Sequence, residues 1–257
     1  DDNVIIGYES GKALTTGNNN IAIGDNALYT EDTGDHNLAI GGSALYTQNY
    51  DGSGYNVAIG YYASKLQTTA RFNMMIGAFA GQNITSGGTN VAIGYQAMQC
   101  YGGSLASGGS SYSGERNIAI GYRALYQLSN SSDPTGAGLS TGNVVIGAYA
   151  GTDMTTAKQN TLIGGGAGQN VLGNLNTMIG ADAGTNVFNA NSVVAIGNAM
   201  NYYSGQSGCV AIGSGAFRTL KVSGGISTVD DTTPSVVGGN WEGGGSYTNI
   251  GPGYCAT

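Results

Sequence analysis

The stretch "NNNIAIGDNALYT", residues 18–30, is followed seventeen residues on by a near copy, "DHNLAIGGSALYT", residues 35–47. Aligned on the glycine of "IG", the pattern returns at Gly7, Gly24, Gly41, Gly60, Gly77, Gly94, Gly121, Gly147, Gly164, Gly180, Gly197 and Gly213. The steps are 17, 17, 19, 17, 17, 27, 26, 17, 16, 17 and 16 residues. Twelve copies at one period identify a repeat architecture. Degenerate copies are expected at "SVVGGNW" around Gly238 and at "TNIGPGY" around Gly251.

Ile precedes the glycine in every copy. Four residues before it stands Asn in most copies: Asn20, Asn37, Asn56, Asn73, Asn90, Asn117, Asn143, Asn160 and Asn176 among them. Three residues after it stands Ala in most. The segment from Asn to Gly alternates a branched apolar residue with a usually small one, which is a short strand of period two. Glycine then permits a turn or a close backbone approach. A unit of about 17 residues is too short for a strand–helix–strand crossover, which needs about 30 or more. The remaining solution is an all-β fold, a parallel β-roll or β-solenoid of about twelve coils, one unit per coil. Equivalent strands stack in parallel about 4.8 Å apart, so the body is about 50 Å long. Ile23, Ile40, Ile59, Ile93 and Ile120 are expected to stack in a buried core. The asparagines are expected to form an amide ladder that serves as scaffold.

Residues 1–217 read as the repeat domain, and residues 218–257, which leave the period, as a C-terminal cap or subunit-contact region. Two insertions break the period at one point of the coil, residues 99–116 and residues 127–142. They are expected to protrude side by side from one face, where solenoid insertions commonly carry binding.

Composition excludes several classes. Only 9% of the 257 residues are charged and 47 are glycine, with an apolar share of 40%. That describes a folded, weakly charged chain rather than a disordered one. The net charge is −7, concentrated in residues 1–51, which hold eight acids and one base. Such a chain is a poor nucleic-acid binder, because phosphate contacts need clustered Lys and Arg. No apolar run is long enough to span a membrane. Without an initial Met or a signal segment, the chain reads as a processed product or a fragment.

Catalysis has little support. His36 is the only histidine, so no Ser-His-Asp or Cys-His set can be assembled. The acids Glu31, Asp32 and Asp35, and the pair Asp230 and Asp231, lie in loops and read as solvated charge, with weak divalent-cation binding as the sharper alternative. Cys100, Cys209 and Cys255 make an odd number with no CxxC spacing, which indicates neither zinc nor a disulfide framework. No Gly-rich phosphate loop occurs, and no cofactor or metal is expected. The 17 tyrosines are more informative. Tyr61, Tyr95 and Tyr122 each follow a repeat glycine and should form a column on one face, and Tyr101 and Tyr112 lie in the first insertion. They read either as aromatic packing or as an exposed binding surface.

The stretches "NIAIGDNA", "NVAIGYYA", "NVAIGYQA" and "NIAIGYRA" resemble the head repeat of trimeric autotransporter adhesins of the YadA-like type, and similar arrays look like parts of phage tail fibres and other surface fibres. The resemblance covers residues 3–217. It implies a left-handed β-roll, three chains side by side, displayed outside a cell or on a virion to bind a surface protein or glycan. The expected function is therefore a structural and adhesive extracellular fibre module, working as a homo-oligomer. An alternative is the subunit of a head-to-tail filament. A lesser one is a solenoid enzyme, carbohydrate-active or acyltransferase-like, because "I-G-x-x-A" is similar to the hexapeptide β-helix of acyltransferases.

Overall fold

In the computed structural model, residues 2–100, 114–127, 141–155 and 157–213 are described, with gaps at 189, 199–202, 205–207 and 209. Beyond these only the strands at 220–223, 226–229 and 236–238 are described. Each repeat contributes one three-residue strand ending on the Ile before the repeat glycine. These are β1 (Val4–Ile6), β2 (Ile21–Ile23), β3 (Leu38–Ile40), β4 (Val57–Ile59), β5 (Met74–Ile76), β6 (Val91–Ile93), β7 (Ile118–Ile120), β8 (Val144–Ile146), β9 (Thr161–Ile163), β10 (Thr177–Ile179), β12 (Val194–Ile196) and β14 (Val210–Ile212). All twelve pair in parallel and in register, repeat after repeat, so that Ile59 pairs with Ile76 and Ile76 with Ile93. The chain is a β-solenoid with a period near 17 residues, and no helix occurs among the described residues. Register is kept across both insertions: Val91 pairs with Ile118, and Ile118 with Val144.

Smaller pieces complete the end of the chain. β11 (Val187–Phe188) pairs in parallel with β13 (Tyr203–Ser204), and β15 (Leu220–Ser223) pairs antiparallel with β16 (Ile226–Val229). β17 (Val236–Gly238) runs antiparallel to β14. Within "SVVGGNW" the described residues Val236–Gly238 therefore do not add the parallel strand that the motif suggests; they run in the opposite direction. The copy around Gly251 lies outside the described residues.

The core corrects the sequence reading. The isoleucines before the glycine do stack, but on the outer surface. In β3, β4, β6, β7 and β8 the first and third residues are half-buried and the middle residue is fully buried. Ile23, Ile40, Ile59, Ile93 and Ile120 are therefore not the core. Period two places Asn and the middle strand residue on one side, and the two flanking branched residues on the other. The buried asparagines show which side is interior.

Inside the coil, volume is shared between two positions. Where the middle strand residue is Ala, the fourth residue after the glycine is large in four coils (Leu28, Leu45, Met98 and Leu125 beside Ala22, Ala39, Ala92 and Ala119) and Ser64 beside Ala58, all of them buried. Where it is large (Ile5, Met75, Val145, Leu162, Met178), that fourth residue is glycine: Gly11, Gly81, Gly151, Gly168, Gly184. A Cβ placed on Gly168 would lie 2.7 Å from Leu162 Cδ1, and one on Gly11 3.0 Å from Ile5 Cδ1. A single coil has room for one of the two bulky groups. The seventh position follows suit. It is Glu31, Gln48 or Gln67 in the first kind of coil and Ile84, Met154, Val171 or Val187 in the second.

Backbone geometry accounts for the corner glycine. Gly60 has φ +138°, and a Cβ there would stand 2.6 Å from the carbonyl group of Gly77 in the next coil. Three other corners use left-handed residues, five before the glycine and two and four after it, such as His36, Asn26 and Leu28 at φ +61°, +55° and +52°. At these corners the amide N–H donates to an adjacent coil, as from Leu28 to the Ala44 carbonyl at 2.9 Å and from Asn26 to that of Tyr8 at 2.8 Å. Inter-coil bonding offsets the about 1–2 kcal/mol that a left-handed L-residue costs.

Candidate binding surfaces

The asparagine column runs through the interior. Each Oδ1 accepts the backbone N–H of the Asn one coil on: Asn37 N–H to Asn20 at 2.9 Å, Asn56 to Asn37 at 3.4 Å, Asn73 to Asn56 at 3.1 Å, Asn90 to Asn73 at 2.9 Å, Asn117 to Asn90 at 3.0 Å. The series continues through Asn143, Asn160 and Asn176 to the Val193 N–H at 2.9 Å. Most Nδ2 groups tie down a backbone carbonyl, as Asn20 does with Gly34 at 2.8 Å and Asn176 with Ala190 at 3.0 Å. Amide-to-amide bonds join Asn56 to Asn37, and Asn117, Asn143 and Asn160 in sequence. With their polar atoms bonded inside the coil, these residues have nothing to offer a ligand.

The outer sheet face is apolar along its whole length. Two columns run over the twelve parallel strands, Val, Ile, Leu, Met or Thr at the first position and Ile at the third. Val4, Ile6, Ile21, Met74, Ile179 and Ile212 are exposed and the other isoleucines half-buried. The columns are about 7 Å apart along a strand and about 50 Å long.

Aromatic columns flank this face. Five residues before the glycine, His36 stacks on Tyr55 at 4.8 Å, and Tyr55 on Phe72 at 5.5 Å. On the other side lies the column expected from Tyr61, Tyr95 and Tyr122, and the structure brings all three into it. Tyr61 stacks on Tyr62 at 3.9 Å, Phe79 meets Tyr61 and Tyr95 edge-on at 5.7 and 5.8 Å, Tyr95 stacks on Tyr122 at 5.5 Å, and Tyr122 meets Tyr149 at 5.1 Å. Relative exposure is 50% for Tyr61, 43% for Tyr95 and Tyr149, and 41% for Tyr122. Tyr62, Phe79 and Tyr149 were missed because they stand two residues after their glycines rather than one. The signal was present as an aromatic at one or the other position in adjacent repeats. Tyr101 and Tyr112, and most of both insertions, lie outside the described residues.

Cations sit on the aromatics. The fifth position after the glycine carries Lys12, Tyr29, Tyr46 and Lys65 in successive coils. Tyr29 and Tyr46 stack at 4.8 Å. Lys12 lies 5.0 Å from the Tyr29 ring, and Lys65 lies 5.8 Å from Tyr46 and 3.9 Å from Tyr62. Hydrogen bonds to Glu9 and then Tyr29 hold the exposed Lys12 ammonium above its ordinary range. The hydroxyls of Tyr61 and Tyr62 are hydrogen bonded. That bond raises the Tyr61 phenol and lowers that of Tyr62, with the Lys65 charge adding to the lowering. Arg123 lies 5.5 Å from the Tyr122 ring and 5.0 Å from Tyr126, and its Nε donates to Gln96 at 2.6 Å.

Among the described residues the acids do not gather into a site, and Asp230 and Asp231 lie outside those residues. Glu31 is buried, its Oε1 accepting the Gly34 N–H at 2.8 Å and its Oε2 that of Tyr50 at 3.3 Å. Burial raises its carboxyl above the ordinary range, partly offset by those two bonds. This differs from the solvated loop charge expected of it, because its position is a core position of the coil. Asp35 accepts the Asn18 N–H at 2.6 Å. Among the described residues no group of three His, Cys, Asp or Glu is placed to hold a metal ion. Nor is any helix there long and apolar enough to cross a membrane. Cys100 is buried, which pushes its thiol up.

Compared with family models, curated proteins and solved structures, the chain finds no match.

Proposed function

We propose that this chain is a structural and adhesive module of an extracellular fibre, on a cell or virion surface, that associates side by side with copies of itself through the outer face of its sheet. The observation that carries this reading is the double column of branched apolar residues over twelve strands. Two columns about 7 Å apart and about 50 Å long, with side-chain width added, make a patch of roughly 600 Å². That is at the upper limit of what a monomer leaves exposed. The columns repeat at the coil spacing, so an identical ladder on another copy matches them residue for residue. The resemblance of the repeat to trimeric adhesin heads supports three chains around an axis. An asparagine column satisfied inside each coil suits a mechanical scaffold, since every coil is bonded to the next.

The test is mass in solution. Sedimentation equilibrium should give three times the chain mass, and Ile93→Asp with Ile120→Asp should reduce it to one while the β-rich circular dichroism spectrum stays. A mass that grows without limit as concentration rises indicates the head-to-tail filament instead. A single-chain mass at high concentration refutes self-association through this face.

A further inference from the structure

The aromatic column beside the sheet calls for a ligand of defined chemistry. Tyr61, Tyr62, Phe79, Tyr95, Tyr122 and Tyr149 form an unbroken series over five consecutive coils, with ring centroids 3.9–5.8 Å apart. Tyr95 and Tyr122 stack with planes 13° apart, so their faces meet each other and their edges and hydroxyls meet solvent. Solvent therefore sees phenol hydroxyls, each able to donate and accept, set among apolar ring edges, with Phe79 contributing an edge alone. An aromatic ring recurs in each of these coils, about every 4.8 Å.

Charge narrows the partner. The two cations on the stripe are engaged with its own groups, Lys65 over Tyr62 and Arg123 over Tyr122 with its Nε on Gln96. Rings take up these cations through their negative faces. Binding sulfate, phosphate or carboxylate groups would require pulling them away. An uncharged ligand needs no such rearrangement.

Period narrows it further. Apart from another copy of this solenoid, whose docking here the assembly of the tyrosine variants would reveal, a folded protein surface does not offer the same contact at every coil spacing. An extended peptide repeats side chains on one face at about 6.8 Å, out of step with the coils. A linear chain of sugar rings repeats close to the coil spacing, and it carries hydroxyls that both donate and accept, matching the tyrosine hydroxyls, with C–H groups that pack against the ring edges. We infer that the stripe from Tyr61 to Tyr149 is a binding surface for a neutral polysaccharide lying parallel to the solenoid axis. This deepens the adhesive reading of the fibre module by naming the chemistry it would hold. The stripe stands beside the apolar sheet face, so it would remain open when copies associate through that face.

Affinity electrophoresis tests the inference, with the native chain run in native gels containing hydroxyethyl cellulose, mannan or pullulan, and in parallel on heparin and on immobilised gelatin. Retention by at least one neutral polysaccharide, and none by heparin, is expected. Tyr95→Ser with Tyr122→Ser should weaken it about tenfold or more, the loss typical of central aromatic anchors. Tyr95→Phe with Tyr122→Phe keeps the stacked rings and should weaken it less, by removing hydroxyls alone. Sedimentation mass and circular dichroism of all variants should equal the parent's. A native chain that assembles but is retained by no neutral polysaccharide overturns this inference and leaves the fibre reading standing. A chain that is retained yet remains single overturns self-association and leaves this inference standing. Retention on gelatin alone, serine variants that bind as the parent does, or variants that lose retention and assembly together each overturn it as well.

Discussion

Exchanging the bulky group of one coil between its two core positions tests how the interior is built. Coil nine holds Leu162 in its strand and Gly168 at the fourth position, and coil seven holds Ala119 and Leu125 in the same places. Leu162→Ala alone should cost about 2–5 kcal/mol through lost burial and a cavity. Gly168→Leu alone puts a Cβ 2.7 Å from Leu162 Cδ1 at a backbone φ of +58°. Overpacking should cost about 1–3 kcal/mol, and the left-handed conformation about 1–2 kcal/mol more. The double variant recreates the coil-seven arrangement, so the cavity and the clash cancel and only the conformational cost of about 1–2 kcal/mol should remain. The coupling between the two sites is then at least about 3 kcal/mol in favour of the pair, the cavity and overpacking costs together. Urea unfolding followed by circular dichroism, at one protein concentration because association adds to apparent stability, measures all four species. If the double variant is as unstable as the sum of the singles, the two positions do not share one space and the packing argument fails.

Other perturbations probe separate parts. Glu31→Gln should remove a pH dependence of stability, while its amide accepts only one of the two N–H bonds that Glu31 accepts. The folded carboxyl titrates above its ordinary value of 4.5, so the parent loses stability as pH rises from there through the raised value, and the variant does not. The difference between their melting temperatures should shift in the variant's favour as pH rises, and a constant difference would refute it. Asn90→Ala strands the Asn117 N–H and the Gly114 carbonyl, at about 1–3 kcal/mol each, which thermal melts would register. Gly60→Ala forces a side chain into the Gly77 backbone at φ +138° and should cost about 3 kcal/mol or more; hydrogen exchange should show the loss centred on the coils of Gly60 and Gly77. Shortening residues 101–113 and 128–140 to the length of an ordinary coil should leave the melting temperature within a few degrees, since neighbouring coils close in about 17 residues and loop length costs little entropy.

By itself the sequence determined the repeat, the length of a coil, the parallel stacking of one strand per repeat and the asparagine column. These follow from local rules: period two in the strand, glycine where a side chain cannot fit, and one spacing repeated along the chain. The column containing Tyr61, Tyr95 and Tyr122 was legible for the same reason, since equal positions in a repeat must align. Tertiary structure decided which side of the strand faces inward. Alternation separates Asn and Ala from the two branched residues, but it does not say which pair is enclosed, and hydrophobicity alone favours the isoleucines. A coil of about 17 residues closes around too little volume for two branched columns. It takes in the amide that can bond the next coil, the small strand residue and one bulky group, and it leaves Ile23, Ile40, Ile59, Ile93 and Ile120 outside. The same limit explains why Glu31 is buried while His36 and Tyr55, at a corner of the coil, stack on its surface. Such assignments depend on the volume left inside a closed coil, which no stretch of sequence states.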